Sequence, residues 1–352
     1  MKVSKISLLV LILAVMATTT AFTGRHRTPS WERFDTGTTS RLRGLDAVSA
    51  QVAWASGSGG TVLRTVDGGA SWQQVGPAGI TDLQFRDIEA FDARHAVIMS
   101  AGSGEESRVY TTSDSGQTWT ETFRNDEPAA FYDCMAFFDR WHGLALSDPV
   151  GGKFRIISTS DGGASWDVLP SDGMPAALDG EFAFAASGTC LVTAAHGPDI
   201  AWFATGGGAE TRVFRSRDHG LTWDVVATPM PSGPAAGIFS LAFRDAVHGI
   251  AVGGDFLNPL TAPDGALSTK TSGRSWQPAD AQPGEYRSGS AWVPHTGQVA
   301  LAVGPTGSDV TYDRGATWVR FDTSSLDSVD CAPDGACWGS GEQGQVAKLH
   351  WR

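Results

Sequence analysis

The sequence predicts an all-β chain folded as a seven-bladed β-propeller with four-stranded blades. Three observations predict it. A short motif recurs six times at intervals of 42 to 57 residues; two apolar runs separated by a turn precede each copy; and three strands at the C-terminal end lack a fourth. Periods of this size mark arrays of one supersecondary unit, and four short strands per unit is the pattern of a propeller blade. The composition agrees: 43 glycines, 10% aromatic residues with 13 tryptophans, only 18% charged residues, and no long amphipathic helical pattern.

Taken in chain order, "MKVSKISLLVLILAVMATTTAFTG" opens with Lys2 and Lys5, an apolar run and then small residues. This is the pattern of a secretory signal peptide, too short in its apolar part for a comfortable membrane span. The expected organisation is a signal peptide over 1–21, a linker over 22–29 and a propeller over 30–352. The mature chain is expected in the periplasm or secreted, without membrane insertion once the signal is cleaved, and monomeric. The formal net charge of −12 gives no electrostatic reason to bind nucleic acid.

The segment "SWERFDTG" (30–37) resembles the extended tail that follows each motif. It supplies the fourth strand missing at the C-terminus, so that six complete blades and one shared blade close the ring and remove the sheet edges. The motif itself reads "TVDGGASW" (65–72), "TSDSGQTW" (112–119), "TSDGGASW" (159–166), "SRDHGLTW" (216–223), "TKTSGRSW" (269–276) and "TYDRGATW" (311–318). Its carboxylates Asp67, Asp114, Asp161, Asp218 and Asp313 suit a turn: an Asp after Ser or Thr accepts backbone N–H groups, and the following glycine tolerates positive φ. Its tryptophans Trp72, Trp119, Trp166, Trp223, Trp276 and Trp318 suit the space between neighbouring sheets. The fifth copy carries Thr271 in place of Asp, which a turn survives and a catalytic carboxylate does not.

These copies resemble the Asp-box, or BNR repeat, of sialidases, the sortilin family, some glycanases and the photosystem II stability/assembly factor-like proteins. The last group is the most similar in blade size and organisation. The resemblance implies a protein-binding or assembly role in the cell envelope, with a protein partner or an acidic peptide or glycan as ligand. The alternative it implies is a glycoside hydrolase of sialidase-like or glycanase-like type.

Aligned by their apolar pattern, the first strands read "LRGL" (42–45), "FRDI" (85–88), "YDCM" (132–135), "YRSG" (286–289) and "LDSV" (326–329). Their second position places Arg43, Arg86, Asp133, Arg287 and Asp327 around one mouth of the axial channel. There they either bind a carboxylate or form an internal ion-pair network. Loops on the same side carry Asp148, Glu210 and Asp255, and the pair Asp148 and Asp255 is a candidate acid and base for glycoside hydrolysis. A sialidase also needs a tyrosine nucleophile, for which Tyr132 and Tyr286 remain. The segment "KFRII" (153–157) is similar to the arginine-bearing element of bacterial sialidases but lacks its proline, and it fits an ordinary third strand.

No cofactor is expected. "GSGEQG" (339–344) precedes a strand and not a helix, so no helix N-terminus awaits a pyrophosphate. The pairs Asp92/His95, Asp139/His142 and Asp245/His248 recur at equivalent turns, which favours a local Asp–His bond over metal ligation. Cys331 and Cys337 flank a P-D-G turn and can face each other across a hairpin, while pairing of Cys134 with Cys190 is left open.

Overall fold

The computed structural model describes residues 27–194 and 199–352. The expected signal peptide and the first residues of the linker lie outside the described residues. Seven four-stranded antiparallel sheets cover 42–74, 85–124, 132–168, 191–227, 236–278, 289–322 and 328–351. Pro29–Phe34 is the outer strand of the seventh. The first strands touch in order and the seventh returns to the first, so the ring is closed. Among the described residues the only helical elements are two 3-10 turns, Gly104–Glu106 and Glu342–Gly344.

The closing strand pairs antiparallel with Val346–Trp351 in a register running from Pro29↔Trp351 to Phe34↔Val346. Trp31 is buried in this joint, and its indole N–H donates to Ser308 Oγ of the neighbouring blade at 3.0 Å. Beyond the strand, Thr28 and Arg352 exchange two backbone hydrogen bonds.

Each motif copy lies between the third and fourth strands of its blade. In blade 2, Asp114 Oδ1 accepts from the Thr118 N–H and the Thr112 hydroxyl, and Oδ2 accepts from the Thr118 hydroxyl at 2.6 Å. The Gly116 N–H donates to Thr112 Oγ1, with glycine at φ +78°. The same bonds recur around Asp67, Asp161, Asp218 and Asp313. In the fifth copy Thr271 Oγ1 accepts the Ser275 N–H in the place of the carboxylate. The box indoles wedge against neighbouring backbone: Trp119 donates to Val75 O of the preceding blade, and Trp166, Trp223 and Trp276 donate to Gly163 O, Gly220 O and Gly273 O. The Asp–His pairs form the expected turns, with His95, His142 and His248 Nδ1 within 3.1 Å of Asp92, Asp139 and Asp245.

Both cysteine pairs are bonded. Cys331–Cys337 crosses the first hairpin of blade 7, and Cys134–Cys190 ties the first strand of blade 3 to the segment entering blade 4.

Hydrogen bonds from Thr118 hold the Asp114 carboxyl down at about 2, against an ordinary 3.8. The stability contributed by a carboxyl depressed in the folded state is full above its ordinary pKa and is lost as pH falls through the depressed value. Asp114→Ala is therefore expected to lower the melting temperature by a constant amount above about pH 4. That difference should close near pH 2, and a pH series of thermal melts checks it.

Candidate functional site

The end of the channel where the first strands begin, called here the upper mouth, collects the loops between blades and between second and third strands. In blades 1, 2, 3 and 5 the first strand carries a register shift at Arg43, Arg86, Asp133 and Phe239. A bulge re-aims the extra side chain, which turns these four positions out of the sheet pattern and towards the axis. Phe239 was not legible as a mouth residue because an apolar residue in an apolar strand gives no signal.

Blade 6 departs from the alignment made on sequence. Gly57 packs on the Arg41 carbonyl, where an added Cβ would lie 2.1 Å away, and Gly304 packs on the Tyr286 carbonyl in the same way at 2.5 Å. Tyr286 thus occupies the position of Arg41, and Arg287 that of the buried Leu42. Arg287 does not line the mouth. Its guanidinium is wholly buried, with Nε 2.6 Å from Asp309 Oδ2 and Nη1 bonded to Tyr286 O and Thr306 Oγ1. It is an internal ion pair of blade 6.

Arg41 is the mouth residue that the sequence alignment missed. Its Nε and Nη2 donate to Asp327 at 2.7 and 2.6 Å, and Nη1 stands 3.1 Å from Glu342. Arg41, Arg43 and Arg86 together line a recess of about 260 Å³ between blades 1 and 2. Arg86 Nη1 donates to Ala185 O at 3.3 Å, while its Nε is buried without a hydrogen-bond partner. Among the described residues no hydrogen bond or ion pair engages the Arg43 guanidinium. Burial, then Arg41 and Arg86, push its pKa down to about 10. A cation so placed is held against its own preference, and a ligand anion relieves it.

An aromatic cluster faces the arginines from blades 4 to 6. Phe184 stacks on Phe239 at 3.7 Å, and Phe239 meets Tyr286 edge-on at 4.7 Å. Burial, and then Asp327, push the Tyr286 phenol far above its ordinary value, although Arg43 and Arg41 act in the other direction. This buried, protonated phenol is unsuited to act as a nucleophile. Tyr132 is buried against Phe123 and equally withdrawn.

The segment entering blade 4 crosses the channel below the mouth. Ala185 O receives Arg86 of blade 2, Gly188 packs against the Asp87 carboxylate of blade 2, and Ser187 Oγ donates to Ser288 O of blade 6. Beneath this plug a separate cavity of about 670 Å³ opens at the opposite end, between Leu241, Trp292, His295 and Asp330.

The candidate acid and base are not brought together. Asp148 belongs to blade 3 and Asp255 to blade 5, with blade 4 between them. Asp255 is spent on its own loop, accepting from the Leu257 N–H and the Asn258 amide. Asp148 accepts the Ala183 N–H at 2.9 Å and shares a hydrogen bond with Asp133, which is buried and has Oδ2 without a donor. Burial lifts Asp148 to about 6 and, with Asp148 beside it, lifts Asp133 well above the carboxylate range. Two carboxyls in hydrogen-bond contact stand closer than the roughly 5 Å that retaining glycosidases use.

No family model and no curated protein sequence matches the chain significantly. Solved structures do resemble it. A structure described as YCF48 bound to D1 peptide superposes with TM-score 0.64 at 14% identity, over 92% of this chain and 97% of the other. YCF48 from Cyanidioschyzon merolae gives 0.63 and 16%, over 91% and 99%. The GH74 xyloglucanase of Xanthomonas campestris gives 0.66 and 16% over 92% of this chain, which spans only 55% of that enzyme. These likenesses show a shared seven-bladed propeller fold.

Two outcomes follow from the buried charges. Arg287→Ala leaves Asp309 buried and unpaired, a loss on the order of 3–5 kcal/mol, and is expected to lower the melting temperature by several degrees. For Asp148, whose folded pKa is raised, the associated stability is full below its ordinary value and is lost as pH rises through about 6. Asp148→Asn is therefore expected to melt above the wild type at pH 8, and the two should converge by pH 4.

Proposed function

We propose that the chain is an exported binding propeller, acting as an assembly or stability factor in the cell envelope. It receives a carboxylate-bearing peptide or protein segment at the upper mouth. The observation that carries this reading is the recess of Arg41, Arg43 and Arg86, in which, among the described residues, the Arg43 guanidinium has no hydrogen-bond or ion-pair partner and stands beside two like charges that Asp327 only partly offsets. A planar guanidinium matches a carboxylate in bidentate fashion, and in a half-dry recess such a bond is strong. That a YCF48 propeller of the same fold has been solved with a D1 peptide supports peptide binding by this architecture.

The glycoside hydrolase alternative draws support from the GH74 neighbours, of whose length the chain spans about half. The separation of Asp148 from Asp255 into different blades weighs against it. Turnover of xyloglucan by the wild type, lost in Asp148→Asn, is the result that would favour it.

The binding reading is tested by fluorescence anisotropy with a labelled hexapeptide ending in two leucines, as free acid and as C-terminal amide. The acid is expected to bind roughly tenfold or more tightly, as one charge-assisted pair allows, with the difference shrinking at high salt. Arg43→Met should abolish that difference while melting at or above the wild-type temperature, since it removes an unpaired, half-buried charge. Equal binding of acid and amide by the wild type would reject the reading.

A further inference from the structure

Across the mouth from the arginines stands 256–265, in blade 5, the longest of the loops that join a second strand to a third among the described residues. It carries three of the nine large apolar side chains exposed among the described residues: Phe256, Leu257 and Leu260, the two leucines 70% exposed. The other six are single residues of box turns, lower turns and outer strands. Isolated apolar residues on a surface need no explanation, whereas three within five positions of one loop mark a contact surface.

Their exposure does not come from want of order. Asp255 Oδ1 accepts the Leu257 N–H at 2.9 Å, and Asp255 Oδ2 accepts the Asn258 side-chain amide at 2.7 Å. Asn258 N–H returns to Asp255 O, Thr261 N–H to Asn258 O, and Phe256 N–H to Ala235 O. Pro259 O receives the N–H of Tyr286, which fastens the loop to the wall of the mouth itself. A loop held this firmly keeps its leucines in water at a fixed place, and preorganisation of that kind serves a contact made elsewhere.

A chain of buried rings leads from the loop towards the arginines. Phe256 meets Phe239 at 6.1 Å, Phe239 meets Tyr286 at 4.7 Å, and the Tyr286 phenol lies in the field of Arg43 and Arg41. The ring-to-ring part of this path, from Phe256 to Tyr286, measures on the order of 10 Å, the reach of three or four extended residues, and the arginines lie beyond it. One end of it attracts a carboxylate and the other is apolar.

We propose that this loop is the second half of the ligand site, and that the ligand is an extended peptide with apolar side chains just ahead of its terminal carboxylate. The proposal rests on the carboxylate-binding reading above and specifies the partner it accepts. The carboxylate enters between Arg41, Arg43 and Arg86, and the preceding apolar side chains cover Phe256, Leu257 and Leu260. Charge complementarity favours this occupant over a lipid surface: the loop is flanked by Asp255 and Asp264, and the chain carries a formal charge of −12. Both repel the anionic bilayer that an apolar finger alone would seek.

The test compares the wild type with a Phe256→Ser/Leu257→Ser/Leu260→Ser variant, checked for an unchanged melting temperature. The probes are three labelled hexapeptides: a free acid ending in two leucines, its amide, and a free acid with serines in their place. The wild type is expected to prefer the leucine acid over the serine acid roughly tenfold or more, as burial of one leucine side chain allows. The triple variant should lose that preference and keep the preference for acid over amide. If both proteins prefer acid over amide but show the same leucine-to-serine ratio, the loop proposal is overturned and the arginine reading stands. If the wild type does not distinguish acid from amide, the arginine reading itself has failed. Loop-dependent sedimentation with phosphatidylglycerol vesicles, or a wild-type dimer that the variant abolishes in light scattering, each without leucine discrimination, would also overturn the proposal.

Discussion

Everything at the axis depends on one antiparallel pairing between the two ends of the chain. A propeller blade is stable because its first strand packs against two neighbours, and an open ring leaves two blades with one neighbour each. Pairing of Pro29–Phe34 with Val346–Trp351 makes the seventh blade from segments more than 300 residues apart. Only with the ring shut do the first strands of blades 1 and 7 meet, and only then can Arg41 reach Asp327. The upper mouth is a product of closure.

Closure brings many ionisable groups into a narrow space, and their partners separate structure from function. Asp46 Oδ2 accepts the Ala90 N–H, Asp330 Oδ2 the Ala47 N–H, and Asp87 Oδ2 the Met135 N–H, so each of these carboxyls staples one inner strand to the next blade. Arg287 and Asp309 satisfy one another within a blade, as do Arg212 and Glu181 in the sheet and loop of blade 4. Buried charges tied up in this way do not attract ligands; removing one partner destabilises the fold. Arg43 differs because, among the described residues, no hydrogen bond or ion pair engages its guanidinium, and two of its charged neighbours, Arg41 and Arg86, are cations that Asp327 only partly offsets. A group left in that state by the folded chain is where an outside anion finds its complement.

The fold was legible in the sequence because its blade motif is written six times. The six motif copies fixed the strand count, and the tail-like segment at 30–37 showed where the ring shuts. Both rest on local turn chemistry that needs no tertiary context. The mouth was only partly legible. Arg43, Arg86 and Asp133 are found by aligning apolar runs, but that alignment slips by one residue in blade 6, where "EYRSG" has no large apolar residue to anchor it. The glycine that ends the second strand in these two blades, Gly57 in blade 1 and Gly304 in blade 6, was the better ruler, since its close approach to a carbonyl sets the register. Arg41 lies one residue before the aligned strand and was passed over. The partner of Asp148 and the contacts of the blade 5 loop are tertiary facts that no local pattern records.

The plug formed by Ala185–Gly188 gives the molecule a sidedness that a hollow ring would lack. With that segment bonded to blade 2 on one side and blade 6 on the other, the axis is no conduit. A backbone segment laid across the axis in this way stands in the path of any chain that would thread it. On the proposed binding reading, a guest enters and leaves by the same door, so release reverses capture. The molecule is shaped as a cup and not as a tube, and the proposed guest would be held by its end and not passed through.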